Sequence, residues 1–151
     1  MGKSIASNPQ LLLVLIFDFL KLIGYYTLMA TVAYYAKVVL QDESAMSIIL
    51  VVFNVGALDG SLISKNVVAK LGSKMTNIVG VLGFAVCLVA IYVMPANMMI
   101  VTVLLGIAQI FFGISYGNTT SLYSNCGTYS EYKTGKNTKA VIMSFSSLAI
   151  K

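Results

Sequence analysis

The sequence predicts an all-α membrane protein with four transmembrane helices and a truncated fifth. Three observations carry this. Apolar runs cover roughly residues 10–40, 45–66, 75–94 and 98–123. At 1.5 Å rise per residue, each is long enough to cross a hydrocarbon core about 30 Å thick. The hydrophobic fraction is 58%, the charged fraction 10% and the mean hydropathy +0.89, whereas about a quarter of the residues in soluble domains are charged. The runs also lack the polar stripe that a soluble helix turns toward water.

The first run begins near Leu11 and lasts about 30 residues. A signal-peptide core is about 7–15 residues long and ends at a small-residue cleavage site, so this run reads as a retained span. The loops then set the orientation. Lys3 precedes the first span, and Gln41, Asp42 and Glu43 follow it. Lys65, Lys70 and Lys74 bracket the junction of the second and third spans. Pro95, Ala96 and Asn97 make a neutral turn, and Lys133, Lys136 and Lys139 follow the fourth span. Lysine-rich loops alternating with acidic or neutral ones predict a multi-pass protein of the cell membrane with a cytoplasmic N-terminus. Lys37 is the exception, and it can snorkel to the outer interface near Asp42 and Glu43. A cytoplasmic loop is expected over 124–139. Residues 140–151 read as a truncated helix, because about 18 Å is roughly half a crossing. This stub, together with the short lead before the first span, gives the expectation of a piece of a longer transporter.

Composition excludes several functions. All ten basic residues are lysine, the net charge is +5, and His and Trp are absent. Without histidine the commonest metal ligand and neutral-pH proton shuttle is missing. Without arginine or a basic–aromatic patch, nucleic-acid binding is not expected. Cys87 and Cys126 fit no metal or disulfide spacing. No Ser/His/Asp set, H-E-x-x-H, P-loop or G-x-G-x-x-G is present, so neither an enzyme nor a resident cofactor is expected.

Chemistry therefore rests on the polar groups inside the spans, which are functional candidates by default. In the first span Asp18, Lys21 and Tyr25 share a face at i, i+3, i+7. A carboxylate and an ammonium at that spacing neutralise each other, giving either a cavity-lining stripe for substrate or coupling ion or an ion pair that fixes helix depth. In the second span Gly56 and Gly60 form a G-xxx-G pair for close packing. Asn54 and Asp59 are polar there, and Asp59 is expected to contact Lys65. In the fourth span Gln109, Tyr116, Thr120 and Tyr123 fall on one face, beside glycines 106, 113 and 117. Amide, hydroxyl and phenol groups suit a sugar, whose hydroxyls take hydrogen bonds and whose ring faces take aromatic contacts. The alternative is interhelical hydrogen bonding. Both stripes are expected to face one polar cavity.

The segment Tyr129-Ser130-Glu131-Tyr132-Lys133-Thr134-Gly135-Lys136, followed by Ser144, Phe145 and Lys151, resembles the signature of the glycoside–pentoside–hexuronide:cation symporters, the melibiose-carrier branch of the major facilitator superfamily. There an Asp-x-x-Asp-Tyr-Gly-Glu-Tyr-Lys-like loop joins the tenth and eleventh helices, and an intramembrane lysine follows at the place of Lys151. Asn8-Pro9-Gln10-Leu11 and Tyr34-Tyr35-Ala36-Lys37-Val38-Val39-Leu40 are similar to the two ends of that family's seventh helix, and Gly72-Ser73-Lys74 to the turn between its eighth and ninth. The motif's two aspartates and its glycine are Asn125, Thr128 and Ser130 in this chain. The resemblance implies part of a six-helix major-facilitator bundle, helices seven to ten with the start of eleven, and a sugar:cation symporter working by alternating access. It implies a sugar substrate, Na⁺ or H⁺ as coupling cation, a partner N-terminal half, Lys151 as a cavity residue, and Tyr129, Glu131, Tyr132 and Lys133 as the cytoplasmic motif. The alternative function is a small four-span membrane protein that acts as an assembly subunit.

Overall fold

The computed structural model describes residues 9–35, 37–38, 43–93, 98–134 and 139–148. Among the described residues there are five α-helices: α1 (Pro9–Tyr35), α2 (Glu43–Val93), α3 (Met98–Gly117), α4 (Thr119–Thr134) and α5 (Lys139–Leu148). No strand occurs among the described residues. The expected turn at 95–97, Lys136 and Lys151 lie outside them.

Three stretches are long and apolar enough to cross a membrane: Pro9–Tyr35, Met46–Val93 and Met99–Lys133. The middle one holds both the second and the third expected spans. Helix continues through the lysine-rich junction, where a loop would have separated the two, and breaks at one residue, Gly72, with φ 76° and ψ 158°. That conformation is nearly reserved for glycine, whereas lysine is a good helix former and does not end a helix by itself. The break lets α2 double back. Gly60 on its first arm and Gly80 on its second both lie against the same stretch of α3, around residues 110–115.

The expected loop over 124–139 is corrected as well, since α4 stays helical to Thr134. Its polarity does not end the helix. The stretch contains no proline, and Lys133 in the last turn complements the helix dipole.

The chain divides into two compact units, one falling within Met1–Thr27 and Thr119–Lys151, the other Leu28–Asn118. In the first, Leu11, Tyr123, Cys126 and Ile142 form a buried cluster with Val14, Leu15 and Met143 against it. Tyr123, Cys126 and Ser130 are spaced so that one face of α4 is covered. In the second unit Val32, Ile49, Val101 and Leu105 are buried, with Leu28, Tyr35 and Ile91 around them.

The second unit is held by close backbone approach. A Cβ on Gly60 would strike the Ile110 carbonyl oxygen, and one on Gly113 would strike that of Ala57. Small residues let helix backbones meet where lipid leaves no hydrophobic drive for association. Large aliphatic side chains such as Leu13, Leu62 and Val86 stand exposed on the outside, as suits a lipid-facing surface.

Candidate functional site

Within the first unit, α1 and α4 bring together one charged cluster. Lys21 Nζ donates to Asp18 Oδ1 at 2.7 Å and to Thr119 Oγ1 at 3.0 Å. The pair is deeply buried, with side-chain exposures of 6% for Lys21 and 2% for Asp18. It is the one ion pair found among the described residues. The Lys21 ammonium also lies 5.6 Å from the Phe17 ring centroid, a cation–π distance.

The cluster is incomplete in a specific way. Asp18 Oδ2 and the Tyr123 hydroxyl are both buried without a hydrogen-bond partner. Tyr123 nonetheless lies within side-chain reach of Asp18. A donor and an acceptor thus face each other short of a well-formed hydrogen bond. Each such buried group costs about 1–3 kcal/mol while it stays unpaired.

The two stripes read from the sequence distribute differently. Asp18 and Lys21 join, while Tyr25 is half-buried and edge-on to Tyr26, with ring centroids 5.6 Å apart. The Gln109–Tyr116–Thr120–Tyr123 stripe assumes one continuous helix. Instead α3 ends at Gly117, Asn118 forms a turn and α4 begins at Thr119. Gln109 and Tyr116 therefore belong to the second unit, and Thr120 and Tyr123 to the first. Thr120 is exposed, and its neighbour Thr119 is the residue that reaches Lys21. The sequence signal for this was Gly117-Asn118, a helix-ending pair set inside an apolar run.

In the second unit most buried polar groups are satisfied between helices. Ser115 Oγ donates to Asn77 Oδ1 at 2.6 Å, Ser64 Oγ to the Ile114 carbonyl at 2.9 Å, and Asn118 Nδ2 to the Ser73 carbonyl at 2.6 Å. Asn118 Oδ1 and Gln109 are exceptions: the former has no partner, and Gln109 is fully buried with neither amide atom paired. Tyr116 is exposed and stacks on Phe112, with ring centroids 6.1 Å apart. A pocket in this unit, lined by Leu28, Val32, Leu88, Ile91, Val101 and Leu105 together with Thr31 and Tyr35, offers little for a sugar to bond.

Asp59 does not reach Lys65, because six residues along a helix place side chains about 120° apart, on different faces. Tyr129, Glu131, Tyr132 and Lys133 are all exposed on α4. Asn54 bonds its own helix through Leu50, at 2.7 Å. No grouping of three acidic, cysteine or histidine residues that could hold a metal occurs among the described residues.

No curated protein and no solved structure matches this chain. The family described as MFS/sugar transport protein does match, over residues 1–151. That family consists of transporters rather than enzymes, its substrates are sugars, and the apolar helices fit a multi-pass membrane protein. The match covers the charged α1–α4 cluster and the glycine-packed helices alike, and the chain belongs to this sugar-transport family of the major facilitator superfamily.

Proposed function

We propose that the chain supplies part of one helical bundle of a sugar:cation symporter of the glycoside–pentoside–hexuronide kind. The bundle works by alternating access opposite a second bundle, around a site near mid-membrane. In this reading the N-terminus is cytoplasmic. α1, the two arms of α2 and α3 make the four crossings, α4 runs toward the cytoplasmic side, and α5 begins a fifth. Lys151, outside the described residues, keeps the cavity role that the resemblance implies.

The observation that carries the reading is the Asp18–Lys21–Thr119 cluster with its leftover oxygen. A buried ion pair is poor at adding stability, since desolvation offsets its attraction, yet breaking it is costly. Such a pair is suited to a switch. A proton or Na⁺ arriving at Asp18 Oδ2 competes with Lys21 for the carboxylate, and Tyr123 and Thr119 supply neutral oxygens beside it. Sugar hydroxyls would meet amide, phenol and hydroxyl groups, for which Gln109 and Tyr116 are the candidates in the second unit and Thr120 in the first.

The test is ion-gradient-driven uptake of labelled glycosides by a complete carrier containing this sequence, reconstituted in liposomes. Asp18→Asn is expected to cut gradient-driven uptake by about tenfold or more, a change of ~1.4 kcal/mol or more, while sugar exchange without a gradient persists. Uptake that ignores the imposed Na⁺ and H⁺ gradients, or an Asp18→Asn carrier equal to its parent, would refute the proposal.

A further inference from the structure

Lys65, Lys70 and Lys74 surround the break in α2. All three are exposed, and none forms an ion pair among the described residues. Residues 60–130 contain no Asp or Glu. Asp59 is exposed on a different face from Lys65, and Glu43 begins the helix roughly 40 Å from the break along the axis. The carbonyls of the corner, by contrast, are taken. The Thr76 hydroxyl donates to the Gly72 carbonyl at 2.8 Å, and Asn118 Nδ2 donates to that of Ser73. Three ammonium groups are the polar chemistry left over.

The level of this corner follows from its arms. The stretch Met46–Val93 is apolar enough to span, and it breaks at Gly72. At 1.5 Å per residue the first arm covers roughly 39 Å and the second roughly 31 Å, each at least the thickness of a hydrocarbon core of about 30 Å. A hairpin of two such arms has its corner at a membrane surface, and this holds for either orientation of the chain. Lys65 lies about 10 Å along the helix from the break, close enough to reach the surface by snorkelling.

The residues beside the lysines decide what approaches them. Leu71 and Met75 are 50% and 51% exposed, each next to a lysine in the chain. Free phosphate would leave both side chains against water, and a strongly acidic protein segment has little apolar surface to cover them. A phospholipid matches both features, because its phosphate meets the ammonium groups and its acyl chains meet the aliphatic side chains.

We propose that the Gly72 corner of α2 holds an anionic phospholipid, with its headgroup phosphate among Lys65, Lys70 and Lys74 and its acyl chains against Leu71 and Met75.

The chain has no tryptophan, so Leu71→Trp places a single fluorophore at the corner, and Tyr92→Trp places one near the other end of the second arm. Each full-length variant is reconstituted in phosphatidylcholine vesicles that contain a minor fraction of lipid brominated on its acyl chains. The brominated lipid carries either a phosphatidylglycerol or a phosphatidylcholine headgroup. Bromine quenches tryptophan on contact, so the ratio of the two quenching curves gives relative occupancy. At the corner phosphatidylglycerol is expected to be favoured about fivefold or more, the worth of one lysine at a membrane surface. At position 92 no preference is expected. Lys65→Gln/Lys70→Gln/Lys74→Gln should remove the preference, and arginine at the same three positions should keep it, which separates charge from fold. Equal quenching by the two lipids at the corner overturns the proposal. So does a preference that survives the three glutamines, or one equally large at position 92, since the attraction would then belong to the whole chain. Inorganic phosphate or polyglutamate is also included as the vesicles form, at constant ionic strength, so that either reaches both faces. The preference is expected to persist. Its loss to phosphate would assign the corner to a soluble anion, its loss to polyglutamate would assign it to an acidic protein, and either overturns the proposal.

Discussion

The two units bury polar groups in opposite ways. In the unit spanning Leu28–Asn118 the helices approach through glycine, and each buried serine, as well as Asn77 and one arm of Asn118, finds a partner on a neighbouring helix. In the unit that contains Asp18 and Tyr123, a full charge pair is buried, and an acceptor and a donor beside it stay unpaired. Satisfied networks make a rigid scaffold, and half-satisfied ones are where function is expected. Gln109 breaks the pattern, because it carries two unpaired atoms inside the well-satisfied unit.

The largest test of this contrast removes one charge. Lys21→Met leaves Asp18 buried and unpaired, and should destabilise the protein by about 3–5 kcal/mol. The double variant Asp18→Asn/Lys21→Met should recover most of that loss. Unfolding of both in mixed detergent micelles makes the comparison, and a double variant as unstable as the single one would show that the pair stabilises rather than poises. Next comes Gly60→Ala, whose new methyl meets the Ile110 backbone rather than a movable side chain. About 3 kcal/mol is expected, at the upper end for overpacking, with the same readout.

Gly72→Ala should cost less, about 1–2 kcal/mol. A Cβ there meets nothing within 4 Å, so the cost is only that of holding alanine at φ 76°. A loss as large as that of Gly60→Ala would mean hidden crowding at the break. The smallest effect belongs to Gly24→Ala on α1. Nothing lies within 4 Å of that site either, but its backbone is helical, so the exchange should be neutral or stabilising by up to about 1 kcal/mol. A clear loss would reveal packing against this face of α1 and weaken the contrast between the units.

Much of this arrangement was legible in the residues. Helical class and membrane length follow from apolar run length, and the Asp18–Lys21 pairing follows from i, i+3 spacing, because both depend on a single continuous helix. What failed also has local causes. Polarity predicts a loop at the 65–74 junction and at the start of 124–139, yet lysine, serine and tyrosine are compatible with helix, and only Gly72 forces a break. Thr119 is hidden from the sequence because the stripe through Thr120 holds only for an unbroken helix, and the Asn118 turn shifts the face. The exposure of Asp59 was not readable at all, since it depends on which face of α2 the glycines commit to α3.

Asn118 has a mechanical role as well. Its amide holds the carbonyl of Ser73, the residue just after the break in α2, at 2.6 Å. The end of α3 is thereby pinned to the corner of α2, which fixes the axial register of the two helices. A slip by one turn would carry the amide about 5.4 Å along the axis, far beyond hydrogen-bond reach, and would strand it in a buried position. Ratcheting of α3 along α2 is therefore blocked at the corner.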